Sequence, residues 1–401
     1  MSEDQPRWLP LSDLRLRRSY KWRAYPADVI PAFVAEMDVT LASPVTRALQ
    51  DAIAAGDTGY ATSDPELAQA VASFQLGRFG WQVDPADVRL IPDVMVGVSE
   101  LLRRAVPPGS GVVINTPAYP PFFHHIGETR CRVVEAPLAR AGSGWVLDLD
   151  AVEAAFTQGA AVYLLCNPHN PTGLVMTEDE LRQVAGLAER FRVLVLADEI
   201  HAPLTLAGAR HVPFLSLPEA QARGITLVSA SKAWNLPGLK CAQLVTAAPA
   251  LRDLVRRLPE ELVYGAGNLG VIASIAAYRD GGPWLDQLLV LLDRNHRLFG
   301  DLLADRLPEV GYVPPQGTYL AWLDCTRLEL PGEPAKVFLK KGRVALRRGS
   351  DFGSIGTGWA RATIATSPEI LAEIVERMRA ALAQPDGKPP DRRRQPDAGS
   401  C

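Results

Sequence analysis

Ile225-Thr226-Leu227-Val228-Ser229-Ala230-Ser231-Lys232-Ala233-Trp234-Asn235-Leu236-Pro237-Gly238-Leu239-Lys240 is the stretch on which the fold of this chain turns. Its first four residues are an apolar, β-branched run that ends on small polar residues, as a strand covered on both faces does. Five similar runs share the pattern: Gly111-Val112-Val113-Ile114, Cys131-Arg132-Val133-Val134, Ala161-Val162-Tyr163-Leu164-Leu165, Arg192-Val193-Leu194-Val195-Leu196 and Gln243-Leu244-Val245-Thr246. Helical periodicity separates several of them, as over residues 177–190, so the chain reads as an α/β protein with a mostly parallel sheet. Ligands in such sheets bind beyond the carboxyl ends of the strands. The loop that carries Lys232 is therefore the first place to look for chemistry.

The 401 residues allow two or three compact units. Helix punctuation at Ser43-Pro44 opens a large domain expected over 44–282. A long amphipathic helix near 284–307, a strand at 318–322 and a helix at 367–382 mark a smaller α+β domain over 283–383, which residues 1–43 would join. Residues 384–401 are rich in proline and charge and read as a disordered tail. A net charge of −3 gives no general attraction for nucleic acid or an anionic membrane. No apolar stretch approaches the length of a membrane span, and five cysteines without a Cys-x-x-Cys pair fit neither a disulfide framework nor a zinc ribbon, so a cytoplasmic location is expected. His124-His125 lacks a third metal ligand. Gly265-Ala266-Gly267-Asn268-Leu269-Gly270 spells a dinucleotide fingerprint but has no preceding core strand and no suitably spaced acid.

Three loops follow core strands and carry reactive residues. They hold Cys166-Asn167-Pro168-His169-Asn170-Pro171-Thr172-Gly173, Asp198-Glu199-Ile200-His201 and the Lys232 loop. Each alone is an ordinary turn, helix cap or surface lysine. On one rim they match the needs of pyridoxal phosphate: Lys232 for the Schiff base, Asp198 to keep the pyridine nitrogen protonated, and Asn170 to donate to the phenolic oxygen. The phosphate would take Ser229, Lys240 and the helix start at Val96-Gly97, and Tyr119 would stack on the ring. Only 7 of the 42 basic residues are lysines, so few amines compete for the central role.

With these residues in hand, the chain resembles the fold-type I aminotransferase superfamily, and within it the MalY/PatB branch of cystathionine β-lyases. The resemblance runs from Arg18-Ser19-Tyr20-Lys21-Trp22 through Ala35-Glu36-Met37-Asp38 and Gly317-Thr318-Tyr319-Leu320-Ala321-Trp322-Leu323-Asp324 to Ala365-Thr366-Ser367. It implies a seven-stranded large-domain sheet. It also implies Arg361 on the substrate carboxylate, Ala35 beside the substrate, and His201 near the ring's oxygen edge. Tyr60 would reach into the neighbouring subunit's site, hence a homodimer with shared sites. The implied reaction is β-elimination from L-cystathionine or another L-cysteine S-conjugate, giving a thiol, pyruvate and ammonia. Arg361-Ala362-Thr363 replaces the branch's usual Arg-Leu-Asn, and Gly267-Asn268-Leu269-Gly270 its Ser-His-Leu-Gly, which leaves the substrate open. Two alternatives use the same residues: an aminotransferase, and a lincosamide-type enzyme coupling decarboxylation of an S-substituted cysteine to oxidative deamination. Some relatives are regulators with an N-terminal DNA-binding domain, which is not expected here because Ala35-Glu36-Met37-Asp38 comes so early in this sequence.

Overall fold

The computed structural model of the chain describes residues 5–383; the expected tail at 384–401 falls outside the described residues. Seven strands form the main sheet: β1 (Val88–Ile91), β2 (Gly111–Ile114), β3 (Arg132–Glu135), β4 (Ala160–Cys166), β5 (Leu194–Asp198), β6 (Gly224–Val228) and β7 (Ala242–Val245). Their spatial order is β1-β7-β6-β5-β4-β2-β3. Pairs from β6 to β3 are parallel, while β7 runs antiparallel to both β6 and β1. The reversal has a local cause. Parallel neighbours need a crossover, usually helical, and residues 229–241 contain only the short 3₁₀ turn Pro237–Leu239.

Alternate residues of the strands point to opposite faces. Tyr163, Leu165, Val195, Ala197 and Val228 join one apolar cluster, and Val162, Leu164, Leu196, Ile225 and Leu227 join the other. Both faces are thus buried, which is why the strands read as continuous apolar runs. The helices start and stop where local chemistry dictates. Thr177 and Glu180 form a reciprocal capping box at the start of the helix Glu178–Phe191, and Asp64 caps the helix Pro65–Phe79. At Ser43-Pro44 the cap position falls instead on Ala42, with Ser43 already inside the helix Ser43–Ala54.

A second, antiparallel sheet contains β8 (Leu320–Asp324) and β9 (Trp359–Thr363), flanked by Gly311–Tyr312 and Arg347–Arg348. The strand expected at 318–322 begins two residues later. Thr318 has φ +74°, a left-handed conformation that cannot extend, and its Oγ1 accepts from Leu320 N at 3.1 Å. Arg361 lies opposite Trp322 in this sheet. The long helix Gly282–Arg306 and the helix Pro368–Ala383 pack together beside it.

The glycine run at 265–270 has a packing role. A Cβ at Gly270 would sit 2.2 Å from the Leu239 carbonyl oxygen, and one at Gly267 2.4 Å from it. The helix Asn268–Asp280 therefore presses its first turn onto the loop that carries Lys240. Among the described residues, no helix is long and apolar enough to cross a membrane. Among them, too, no group of three His, Cys, Asp or Glu side chains is arranged to hold a metal.

Candidate active site

A cavity of about 300 Å³ opens at the carboxyl ends of β4, β5 and β6. It is lined by Ala35, Val96, Tyr119, Asn170, Asp198, His201, Ser229, Lys232 and Lys240. Register brings Asp198 beside Cys166 at the ends of neighbouring strands. Asp198 is 4 % exposed. Its Oδ1 accepts from Ile200 N at 3.2 Å. Burial pushes its carboxyl up to about 7, against the opposing pull of that hydrogen bond and of the Lys232 charge.

Lys232 donates to the Ala35 carbonyl at 3.2 Å. Burial, aided by the Arg361 charge, brings its amine down to about 8, and the Asp198 charge works the other way. An amine that titrates near neutrality is suited to proton transfer. His201 is buried, its ring pushed down to about 3 by burial and by the Lys232 charge, and its Nδ1 has no hydrogen-bond partner among the described residues. Tyr119 stands at the N-cap position of the helix Pro120–Glu128 without a side-chain capping bond, and burial raises its phenol.

Arg361 comes from β9 and lies just behind the cavity wall. Its Nη1 donates to Asn170 Oδ1 at 3.0 Å and its Nη2 to the Phe33 carbonyl at 2.8 Å, while Nε has no partner among the described residues. Burial brings the guanidinium down to about 10. With Asn170 Oδ1 turned toward Arg361, the amide Nδ2 is left to donate elsewhere. That is the donor role expected of Asn170.

Three expectations at the anion end change. Ser229 Oγ donates to the Cys241 carbonyl at 2.6 Å and accepts from Ser231 N at 3.1 Å, so its proton is already engaged. Ser231, next to the lysine, lines the cavity and was not singled out from sequence. Val96 N donates to Asp93 Oδ1 at 2.9 Å and Gly97 N to the Asp93 carbonyl at 3.1 Å, so the helix-start donors not bonded within the helix are those of Val94 and Met95. Gly97 packs on the sheet instead: a Cβ there would meet Ile91 Cδ1 at 2.5 Å. Lys240 lines the cavity with its Nζ 3.0 Å from Asp93 Oδ2. No local sequence signal marks Asp93 apart from its helix-capping type and position.

Tyr60 lies outside the cavity lining and is 87 % exposed, edge-on to Tyr264. Within one chain it has little to pack on.

Residues 36–378 match the family model for aminotransferase class I and II. The chain belongs to the aminotransferase class I and II family. A Mycobacterium tuberculosis (strain H37Rv) protein, provisionally named a cystathionine beta-lyase, is 47 % identical over 94 % of this family member and 98 % of its own length. Cystathionine beta-lyase PatB of Bacillus subtilis is 31 % identical over 89 % and 93 %. A Corynebacterium diphtheriae crystal structure, provisionally titled a PLP-dependent beta-cystathionase, is 37 % identical and superposes with a TM-score of 0.88 over 94 % of this chain and 99 % of that one. The fold is that of the fold-type I enzymes.

Proposed function

We propose that the chain is a pyridoxal-phosphate-dependent carbon–sulfur β-lyase, cleaving L-cystathionine or another L-cysteine S-conjugate to a thiol, pyruvate and ammonia. The observation that carries this reading is the pairing of Lys232 with the buried Asp198 in one cavity, with Arg361 braced on Asn170 at its edge. The relatives' names favour the lyase over an aminotransferase or an oxidative decarboxylase.

The donor set fits the cofactor. A buried carboxylate with little hydrogen-bond support suits a protonated ring nitrogen, Asn170 Nδ2 and His201 suit the ring's oxygen edge, and Ser231, Lys240 and the Val94 and Met95 N–H groups suit a phosphate. When bound, pyridoxal phosphate supplies the carbonyl that takes the substrate amine and the cationic ring that accepts the electron pair from the Cα–H bond. Arg361 holds the α-carboxylate through its fork. Lys232 removes the Cα proton and stands ready to protonate the departing sulfur. Asp198 keeps the ring nitrogen charged. Tyr119 closes one wall of the cavity and excludes water from the amine.

Supported by the exposure of Tyr60, the working unit is a homodimer in which that ring reaches the neighbouring site. A large domain over 44–282 with a smaller one over 283–383 and 1–43 suits the two sheets described above. A cytoplasmic setting suits cysteines 131, 166, 241 and 325, all buried and free. The test is incubation of the holoenzyme with S-substituted cysteines. Pyruvate and free thiol without pyridoxamine phosphate support the lyase; pyridoxamine phosphate or carbon dioxide as the main product overturns it. Lys232→Ala should keep the fold and lose the visible absorbance of the lysine-linked cofactor, and an unchanged spectrum removes Lys232 from its role.

A further inference from the structure

The motif Arg18-Ser19-Tyr20-Lys21-Trp22 has no part in the chemistry above, yet it holds a buried ion pair. Lys21 is 1 % exposed, with Nζ 2.7 Å from Asp38 Oδ2. Trp22 Nε1 donates to the other Asp38 oxygen at 3.1 Å, and Lys21 Nζ also donates to the Glu36 carbonyl at 3.1 Å. An ammonium so far from water needs such a set of acceptors.

What this pair holds is the segment 32–39, whose successive carbonyls are all taken. Carbonyl 33 accepts from Arg361 at 2.8 Å, carbonyl 35 from Lys232 at 3.2 Å and from Tyr319 at 3.1 Å, and carbonyl 36 from Lys21. Asn235, in the Lys232 loop, clamps Met37 through both N–H and carbonyl at 2.9 Å. The Lys21 anchor therefore fixes the peptide next to the one that touches the reactive lysine. A slip of one residue would withdraw an acceptor from Lys232 and another from Arg361 together.

We infer that Lys21 and Asp38 are positioning residues that set the register of segment 32–39 against Lys232 and Arg361. The inference rests on the roles given above to those two residues. It concerns how they are held.

The test uses the holoenzymes of Lys21→Met and of the double variant Lys21→Met with Asp38→Asn, which leaves no unpaired buried charge and so keeps the test open if the single variant fails to fold. Three readouts are taken: the pH titration of the lysine-linked cofactor absorbance without substrate, amide exchange of residues 33–38, and steady-state kinetics. The absorbance midpoint should move, exchange at Met37 and Asp38 should quicken about tenfold or more, and KM should rise about threefold or more with a smaller change in kcat. A merely structural staple would lower thermal stability and leave the titration and the KM-to-kcat split as in the wild type, and that result overturns the inference. The first two readouts involve no turnover, so they decide the positioning role even where the lyase assay of the wild type fails.

Discussion

Replacing Asp198 by Asn should stabilise the cofactor-free protein while disabling the enzyme. Asp198 is 4 % exposed and its carboxyl is displaced from an ordinary 3.8 to about 7, chiefly by burial. The sign follows from linkage. Below pH 3.8 both folded and unfolded chains carry the protonated acid, so the group has no effect. As pH rises, the unfolded chain ionises first, and the folded state loses ground until the folded carboxyl also ionises near 7. At about 1.4 kcal/mol per pH unit, this destabilisation is about 2 kcal/mol at pH 5 and levels off at about 4 kcal/mol above pH 7. An isosteric amide has no charge to desolvate, so it removes that loss. Lys232 opposes part of the gain, because the Asp198 charge supports its ammonium. Urea unfolding of both apo proteins at pH 5 and pH 8 measures the difference. The variant should be more stable at both values, with the larger margin at pH 8, and its holoenzyme should bind cofactor more weakly. A margin that is absent, or that shrinks toward pH 8, refutes the account of Asp198 as a carboxylate held in readiness for a cation.

Arg361→Lys exchanges a two-armed contact with Asn170 and Phe33 for a point charge, and kcat/KM for S-substituted cysteines should fall by about a hundredfold with cofactor content unchanged; spectra and steady-state rates test it. Gly270→Ala gains about 1 kcal/mol of helix propensity but drives a methyl to 2.2 Å from a backbone oxygen. The clash outweighs the gain, so stability should drop by about 1–3 kcal/mol. Cofactor release should quicken as the neighbouring Lys240 shifts, and a variant as stable and as tight-binding as the wild type contradicts this. Tyr60→Ala and Lys232→Ala, each inactive alone, should regain activity when their subunits are mixed, because one hybrid site then has both residues; no recovery in verified hybrid dimers argues against sharing.

Most of the sheet was legible because strands buried on both faces leave unbroken apolar runs. Val88–Ile91 is not among those runs; it is an edge strand, and its Arg89 turns away to the carbonyls of Leu258 and Pro259. The reversed direction of β7 was readable in principle from the lack of a helix between residues 228 and 242. Lys232, Asp198 and Asn170 were legible because each sits at or just past the carboxyl end of a strand. The donors at the anion end were not. Whether Ser229 or Ser231 offers its proton, and whether Val94 or Val96 offers its N–H, depends on where the Cys241 carbonyl and the Asp93 carboxylate lie. Sequence carries no record of those distances. Arg361 was reached through resemblance, since its partners lie 191 and 328 residues away.

That last separation bears on how the protein is made. At the usual 5–20 residues per second, Arg361 leaves the ribosome roughly 15–65 s after Phe33, whose carbonyl it will hold. The carbonyls of Ala32 and Val34 likewise wait for Thr363. From the emergence of Lys232 until that of Arg361 the nascent chain has its reactive lysine and acid but no finished substrate pocket. Completion falls to residues that follow the last strand of the main sheet, so a chain cut short before Arg361 could fold much of that sheet and still lack a site able to hold an amino acid.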